Sequence, residues 1–282
     1  MLGAAGQVGS AVAATTPGRH QLIAKTRADL DIGDRGAVER VLAEGVDWIV
    51  NAAAYTAVDL AEERSAEAIA VNDRAVGVLT QAAGRSGCRL LHLSTDFVFD
   101  GRSSRPYLPG DPTHPLNAYG VSKLGGERQA LSGGDNVVLR TSWVYAAAGR
   151  NFALTMLRLM RERETVSVVC DQVGSPTWAT SLARAIWGLI DVDAPAGIYH
   201  WADLGVGSWY DFAMAIQEEA LPRGLLARAV SVLPIPTSAY PTRALRPAFS
   251  VLDTETTRAL IKVPTYHWRH SLRMMLDELR AA

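Results

Sequence analysis

Met1-Leu-Gly3-Ala-Ala-Gly6-Gln-Val-Gly9 opens the chain and leads into Gln7–Ala14, whose composition predicts a helix. Glycines at this spacing let a backbone approach an anion such as a pyrophosphate at a helix N-terminus, where free N–H groups and the helix dipole favour negative charge. The same spacing also makes an ordinary turn, so the stretch takes its meaning from its neighbours along the chain. Part of the expected context is short: a dinucleotide-binding loop comes after a strand of several apolar residues, and only Met1 and Leu2 precede Gly3. Because the first strand of such a fold lies centrally in the sheet, the natural chain is expected to start upstream of Met1.

Working outward, Gln21–Lys25 reads as a second strand, with Thr26 and Arg27 after it. An acid at this strand end binds the ribose hydroxyls of NAD, whereas a nearby Arg accommodates the phosphate of NADP. Here no acid stands, and Lys25 and Arg27 are basic, so NADPH is the expected cofactor, with NADH as a possible substitute. Asp29–Ile32 forms an acidic turn before a helix over Arg35–Ala43, and Asp31 is read as a cap or a contact to the adenine end of a cofactor. Asp47–Val50 is a buried-looking strand, and Asn51-Ala52-Ala53-Ala54-Tyr55-Thr56 at its carboxyl end is small enough for close backbone approach by a ligand, or simply for tight packing. A helix over about Ala66–Ser86 leads to a strand at Cys88–Leu93, ending in Ser94-Thr95-Asp96, and Asn136–Arg140 gives a fifth strand. Strand and helix alternating with short links argue for an α/β protein with a Rossmann-type doubly wound parallel sheet.

After Trp143-Val144-Tyr145 the alternation fades. An amphipathic helix over Arg150–Arg163, a strand at Val166–Val169, helices over Ser181–Ile190, Trp209–Ala220 and Trp268–Leu279, and a Pro-rich stretch from Pro234 to Pro247 predict a smaller mixed α/β domain. The expected division is 1–143 and 176–203 for the sheet domain, and 144–175 and 204–282 for the smaller one. With 28 basic and 29 acidic residues well mixed, the chain has no electrostatic footprint for nucleic acid or an anionic membrane. No apolar run approaches the ~18 residues of a membrane span, and the residues from Met1 onward show no basic segment followed by a hydrophobic one, so the cytoplasm is the expected compartment. Cys88 and Cys170 read as reduced core thiols, and His267 and His270 lack the companions of a metal site, so no metal is expected.

Asn117-Ala-Tyr119-Gly-Val-Ser-Lys123 carries the candidate chemistry. Tyr119 and Lys123 are four residues apart on predicted helix and therefore share a face, which places an ammonium beside a phenol and is expected to favour the phenolate. Alone, such a spacing is usually a solvated pair. Hydroxyls at the end of the preceding strand would face the same crevice, giving a hydrogen-bond donor, a phenolic acid and a cation around one carbonyl oxygen.

Together, Gly3–Gly9, Asn51–Asp59, Ser94–Gly101, Leu116–Lys123, Arg140-Thr-Ser-Trp-Val-Tyr145, Asp171-Gln-Val-Gly-Ser-Pro-Thr177 and Pro236-Thr-Ser-Ala-Tyr-Pro-Thr242 resemble the extended short-chain dehydrogenase/reductases, and among them the dTDP-4-dehydrorhamnose reductase family. The last three blocks are the narrower ones. The resemblance implies hydride transfer from a nicotinamide to the C4 ketone of dTDP-4-dehydro-L-rhamnose, with Thr95, Tyr119 and Lys123 as the catalytic triad. It implies cofactor contacts from Gly3, Gly6, Gln7, Val8, Arg27, Asp31, Ile32, Ala52, Ala53, Ala54, Tyr119 and Lys123. For the sugar nucleotide it implies Thr56, Asp96, Phe97, Trp143, Asn151, Gln172 and Tyr240, in a monomer or homodimer; Asp96 has a competing reading as a structural acceptor. Ala11 stands where some members carry a glutamate used in a magnesium-bridged dimer, so that dimer is not expected. A 4,6-dehydratase would want Thr-Asp-Glu where this chain has Thr95-Asp96-Phe97. A ketoreductase for another deoxysugar nucleotide, and an NADP-binding regulatory subunit resembling the beta subunit of methionine adenosyltransferase, are the alternatives; the intact triad favours an enzyme.

Overall fold

The computed structural model describes residues 1–281. In chain order the elements are α1 (Gln7–Ala14), α2 (Arg35–Leu42), β1 (Trp48–Asn51), α3 (Val58–Ala61), α4 (Ser65–Ile69), α5 (Ala75–Ser86), β2 (Arg89–Thr95), α6 (Ala118–Leu131), β3 (Val137–Thr141) and β4 (Val144–Tyr145). Next come α7 (Phe152–Glu162), β5 (Thr165–Val169), β6 (Val173–Gly174), β7 (Thr177–Trp178), α8 (Ala179–Asp191), β8 (Gly197–His200), β9 (Gly207–Ser208), α9 (Trp209–Ala220), β10 (Ser231–Ile235), α10 (Glu255–Ile261) and α11 (Trp268–Ala281). The main sheet has the order β1-β2-β3-β8, with every pair parallel. Parallel strands covered by helices on both faces must be apolar throughout, and Leu90, Leu91, Val137, Val138 and Leu139 are all buried.

Two apolar clusters flank this sheet. One joins Leu93 and Leu139 to Leu182, Ile186 and Trp201; the other joins Leu90 and Val138 to Val38, Val76 and Leu79. A third cluster, built from Met156, Leu157, Phe212, Ile216, Leu272 and Leu276, joins α7, α9 and α11. Ile261 packs with the first cluster and Trp178 with the third, so side chains from each stretch of sequence reach into the neighbouring core.

The predicted second strand is reduced to a single bridge. Leu2 pairs in parallel with both Lys25 and Asn51, and Gln21–Ala24 form no ladder. The cause is the supply of partners: only Met1 and Leu2 lie alongside. The Met1 ammonium donates to the Ile23 carbonyl at 2.8 Å, the Lys25 N–H to the Met1 carbonyl at 2.8 Å, and the Ala4 N–H to the Lys25 carbonyl at 3.1 Å. Burial lowers that ammonium to about 6. Beside it lies a cavity of about 590 Å³ bounded by Leu22, Ile23, Leu42, Trp48 and Trp187.

Three further expectations change. The cap of α2 is Asp34, whose carboxylate accepts from the Ala37 N–H at 3.1 Å, while Asp31 closes its own turn by accepting from Gly33. Cys170 is exposed, because β5 pairs only with β10 and ends at the rim of that two-stranded ribbon; Cys88 is buried as expected. The long predicted helix is interrupted by a π turn over Ala70–Arg74 between α4 and α5. That turn is where α6 docks. A Cβ on Gly126 would overlap the Asn72 carbonyl, and one on Gly125 would overlap Asp73. Among the described residues no helix is long and apolar enough to cross a membrane.

Candidate active site

A cavity of about 580 Å³ opens at the carboxyl ends of the parallel strands, lined by Gly6–Val8 at the start of α1, Ala52–Ala54 and Thr56 after β1, Leu93–Asp96 at the end of β2, Tyr119 and Lys123 of α6, Thr141–Val144 after β3, and Gly149 and Arg150. The crevice beyond strand ends is where an open α/β sheet receives ligands.

Its floor is backbone. Gly3 has φ +78°, and a Cβ there would stand 2.6 Å from the Ala53 nitrogen; a Cβ on Gly9 would overlap the Gly3 carbonyl. The loop is therefore pressed between the β1 extension and α1 with no room for side chains. Gly6 occupies the N-cap of α1 without side-chain capping, which leaves the first amides of the helix unclaimed among the described residues. An open helix end beside a cradle that any Cβ would fill is the shape and polarity that a pyrophosphate requires.

The other wall is made of buried ionisable side chains. α6 begins at Asn117, whose amide oxygen caps the Gly120 N–H at 2.8 Å while its NH2 donates to the Leu245 carbonyl at 2.8 Å. Two and six residues on, Tyr119 and Lys123 share the helix face that looks into the crevice. The helix is held to the sheet by Glu127, which receives both Nε (2.8 Å) and Nη2 (2.7 Å) of the buried Arg140 and the Ser94 hydroxyl at 2.5 Å. Both members of this ion pair are 2% exposed, so removing either would strand a buried charge. Ser94 is thus committed to Glu127, leaving Thr95 as the strand-end hydroxyl near Tyr119.

The expected ammonium–phenol pair is not formed. Lys123 Nζ donates to the Leu93 carbonyl at 2.6 Å and lies 3.4 Å from Nε2 of His92. The Tyr119 phenol is accordingly pushed up to about 12, by burial first and then by the Asp96 charge, with Thr95 hydrogen bonding offsetting only part of this. Burial also lowers Lys123 to about 8, against the pull of Glu127. The spacing put both groups on one face; the desolvation that reverses the phenol shift is a tertiary property that spacing does not carry. His92, buried between Asn51 and Lys123, is held well below its ordinary value by burial and by the neighbouring ammonium.

Asp96 Oδ1 accepts from the Thr95 hydroxyl at 3.0 Å, and Oδ2 has no hydrogen-bond partner among the described residues. Burial raises this carboxyl to about 6, with Ser250 and Thr95 pulling against it.

The remaining expected site residues divide. Gln7, Val8, Ala52–Ala54, Thr56, Asp96 and Trp143 line the cavity. Arg27 and Asp31 are exposed outside its lining, and Ile32 is buried in the second sheet cluster. Phe97 stands edge-on to Tyr119 with ring centroids 5.9 Å apart, behind the lining. Asn151 caps α7 by accepting from the Leu154 N–H, and donates to Gln7 Oε1 at 3.0 Å, so it braces a lining residue. Gln172 is buried and donates to the Thr237 hydroxyl at 3.1 Å, and Tyr240 is 58% exposed; neither lines the cavity. Sequence reading passed over Arg150, Glu127 and His92. Glu127 sits eight residues after Tyr119 on the same helix, a spacing that placed it a little over two turns on; Arg150 reaches the cavity by a loop fold that leaves no local signal.

The RmlD substrate binding domain model matches residues 1–281. The chain is 44% identical over 290 residues to the dTDP-4-dehydrorhamnose reductase of Burkholderia thailandensis, covering 98% of this chain and 97% of that protein. Among solved structures it is similar to a dTDP-4-dehydrorhamnose reductase from Clostridium acetobutylicum, with a TM-score of 0.92 and 35% identity over 99% of this chain and 98% of that one. It is equally similar in fold to the dTDP-4-dehydrorhamnose reductase of Bacillus anthracis solved with NADP, with a TM-score of 0.92 and 32% identity over 98% and 97% of the two chains.

Proposed function

Because this chain belongs to the dTDP-4-dehydrorhamnose reductase family, we infer that it reduces the C4 ketone of dTDP-4-dehydro-L-rhamnose with NADPH, giving dTDP-L-rhamnose. The observation that carries the reading is the meeting, in one cavity, of the open N-terminus of α1 with Thr95, Tyr119 and Lys123.

When bound, NADPH supplies the hydride. The chain's own residues do the rest. The Gly3–Gly9 loop and the amides at the start of α1 hold the pyrophosphate, Ala52–Ala54 let the cofactor lie close to the backbone, and Arg27, with its exposed guanidinium, meets the 2′-phosphate. Asp31 and Ile32 bound the adenine side. Lys123 keeps its proton below about pH 8 and offers it to ribose hydroxyls. Tyr119, with a phenol that stays protonated across the physiological range, gives its proton to the alkoxide oxygen as it forms, since an alkoxide is the stronger base. Thr95 donates a hydrogen bond to the same oxygen. Asp96 and Trp143 face the sugar; Thr56, Phe97, Asn151, Gln172 and Tyr240 complete the sugar-nucleotide side.

In this reading the cofactor lobe spans 1–143 and 176–203 and the sugar-nucleotide lobe 144–175 and 204–282. The protein works in the cytoplasm as a monomer or homodimer, without nucleic acid, membrane or metal. The decisive assay tracks the reduced-nicotinamide absorbance with purified protein, NADPH and dTDP-4-dehydro-L-rhamnose, with dTDP-L-rhamnose identified as product. Cofactor consumption only with a different 4-keto sugar nucleotide would redirect the substrate, and cofactor binding without any turnover would favour the regulatory alternative.

A further inference from the structure

Trp143 is held in a conformation that it would not adopt freely. Its φ is +47°, in the left-handed region that a bulky side chain rarely occupies. Its indole lies against the backbone of Gly174, where an added Cβ would stand 2.5 Å from Cε2 and 2.7 Å from Nε1. It also stacks on Trp209 with ring centroids 3.5 Å apart and planes 4° from parallel. Face-to-face stacking this close is not what two aromatic rings choose, since offset or edge-on arrangements suit their quadrupoles better. The arrangement is therefore imposed by what carries the rings.

Those carriers are well fixed. Trp209 is the first residue of α9, whose first turn is locked by a capping box: the Ser208 hydroxyl accepts from the Asp211 N–H at 3.1 Å, and Asp211 Oδ2 accepts from the Ser208 N–H at 2.8 Å. Just before it, β9 pairs antiparallel with β6, setting Gly207 opposite Gly174. One ribbon thus delivers both surfaces that Trp143 touches, and Phe152 supports Trp209 from behind at 4.6 Å. Trp143 lines the cavity with Thr95, Asp96 and Tyr119, whereas Trp209 does not.

We propose that Trp209 is a positioning residue that pins the Trp143 indole as a wall of the cavity and thereby sets how tightly the sugar nucleotide is held. The proposal rests on the reductase reading for its substrate. It separates Trp209 from the groups that touch the reacting atoms: its loss should weaken sugar-nucleotide use and leave NADPH binding alone.

The test compares Trp209→Leu, which removes the stacked ring, Trp209→Phe, which keeps one, and Gly174→Ala, which crowds the indole from the other contact. Trp209→Leu and Gly174→Ala should each raise KM for dTDP-4-dehydro-L-rhamnose about tenfold, with NADPH affinity unchanged and Trp209→Phe close to the unaltered protein. In parallel, the Trp143 indole N–H resonance, assigned through Trp143→Phe, should carry a ring-current shift in the unaltered protein that Trp209→Leu abolishes. If Trp209→Leu fails to fold, Gly174→Ala decides alone. Unchanged KM in the folded variants overturns the proposal. Should the unaltered protein not turn over this substrate, the reductase reading falls instead, and the indole resonance still judges the positioning: no ring-current shift in the unaltered protein, or the same shift after Trp209→Leu, overturns it.

Discussion

The two walls of the cavity are built from opposite materials. At α1 the protein removes side chains: Gly3 and Gly9 pack backbone on backbone, Gly6 and Ala52–Ala54 present short or absent side chains to the cavity, and the polarity comes from unclaimed amides. At α6 it buries side chains that water would normally keep, and Tyr119, Lys123, Asp96 and His92 are all shifted in the direction that desolvation demands. The first wall works by shape and dipoles, which pH hardly touches. The second works by protonation states, which its burial has set.

The sharpest way to break this contrast is to remove one oxygen from the buried wall. Tyr119→Phe should lower kcat by roughly a hundredfold to ten-thousandfold with NADPH affinity nearly intact, measured by steady-state kinetics and cofactor titration. Normal turnover would deny the phenol its role.

Asp96 offers a stability test of the same wall. Its folded-state pKa, about 6, lies above the unfolded 3.8, so the stability associated with its neutral form is fully present below pH 3.8 and is lost as pH rises through about 6. Asp96→Asn does not titrate. Denaturant unfolding should therefore show the variant gaining on the unaltered protein between pH 4 and pH 7, by at most roughly 3 kcal/mol; parallel pH profiles would refute the buried-charge account.

The backbone wall answers to volume instead. Gly9→Ala would force a Cβ into the Gly3 carbonyl, and the expected cost is about 2 kcal/mol of stability together with weaker NADPH binding. A melt and a cofactor titration read both, and the loss should be flat between pH 6 and 8. The smallest effect belongs to Arg27, whose exposed guanidinium lies outside the cavity lining: Arg27→Ala should raise KM for NADPH a fewfold, roughly fivefold, and that for NADH not at all. Equal effects on both cofactors would remove Arg27 from the phosphate site.

The backbone wall was the more legible of the two. Glycine and alanine at fixed offsets announce close approach locally, and the helix over Gln7–Ala14 begins and ends where the spacing put it. For the buried wall, sequence placed Tyr119 and Lys123 on one helix and Thr95 at a strand end, but the ammonium turns to the Leu93 carbonyl and the phenol rises rather than falls. Burial, His92 and Arg140 arrive from the strands beneath α6, so no short window around Tyr119 contains them. The strand expected at Gln21–Lys25 failed for a related reason: a strand is a property of its partners, and Met1–Leu2 supply only one bridge. Tyr240 and Gln172 came from the narrowest blocks of resemblance, yet neither lines the cavity, because a block records a family's shared sequence and not the direction of one side chain.

The π turn at Ala70–Arg74 has a consequence for how the protein tolerates change. Gly126 brings α6 onto that turn through main-chain contact with the Asn72 carbonyl, while Gly125 leaves room for the Asp73 side chain. A contact between main chains has no rotamers to exchange and no methyl group to trade, so it behaves as a keyway: α6 can neither slide nor roll without lifting off. The height of the Tyr119 phenol above the sheet is then set by a residue that possesses no side chain. In a library randomised at 125 and 126 and selected for growth that requires the enzyme's own turnover, glycine at 126 should be the recurrent survivor, and the tolerance expected on the exposed surface of α6 should stop there.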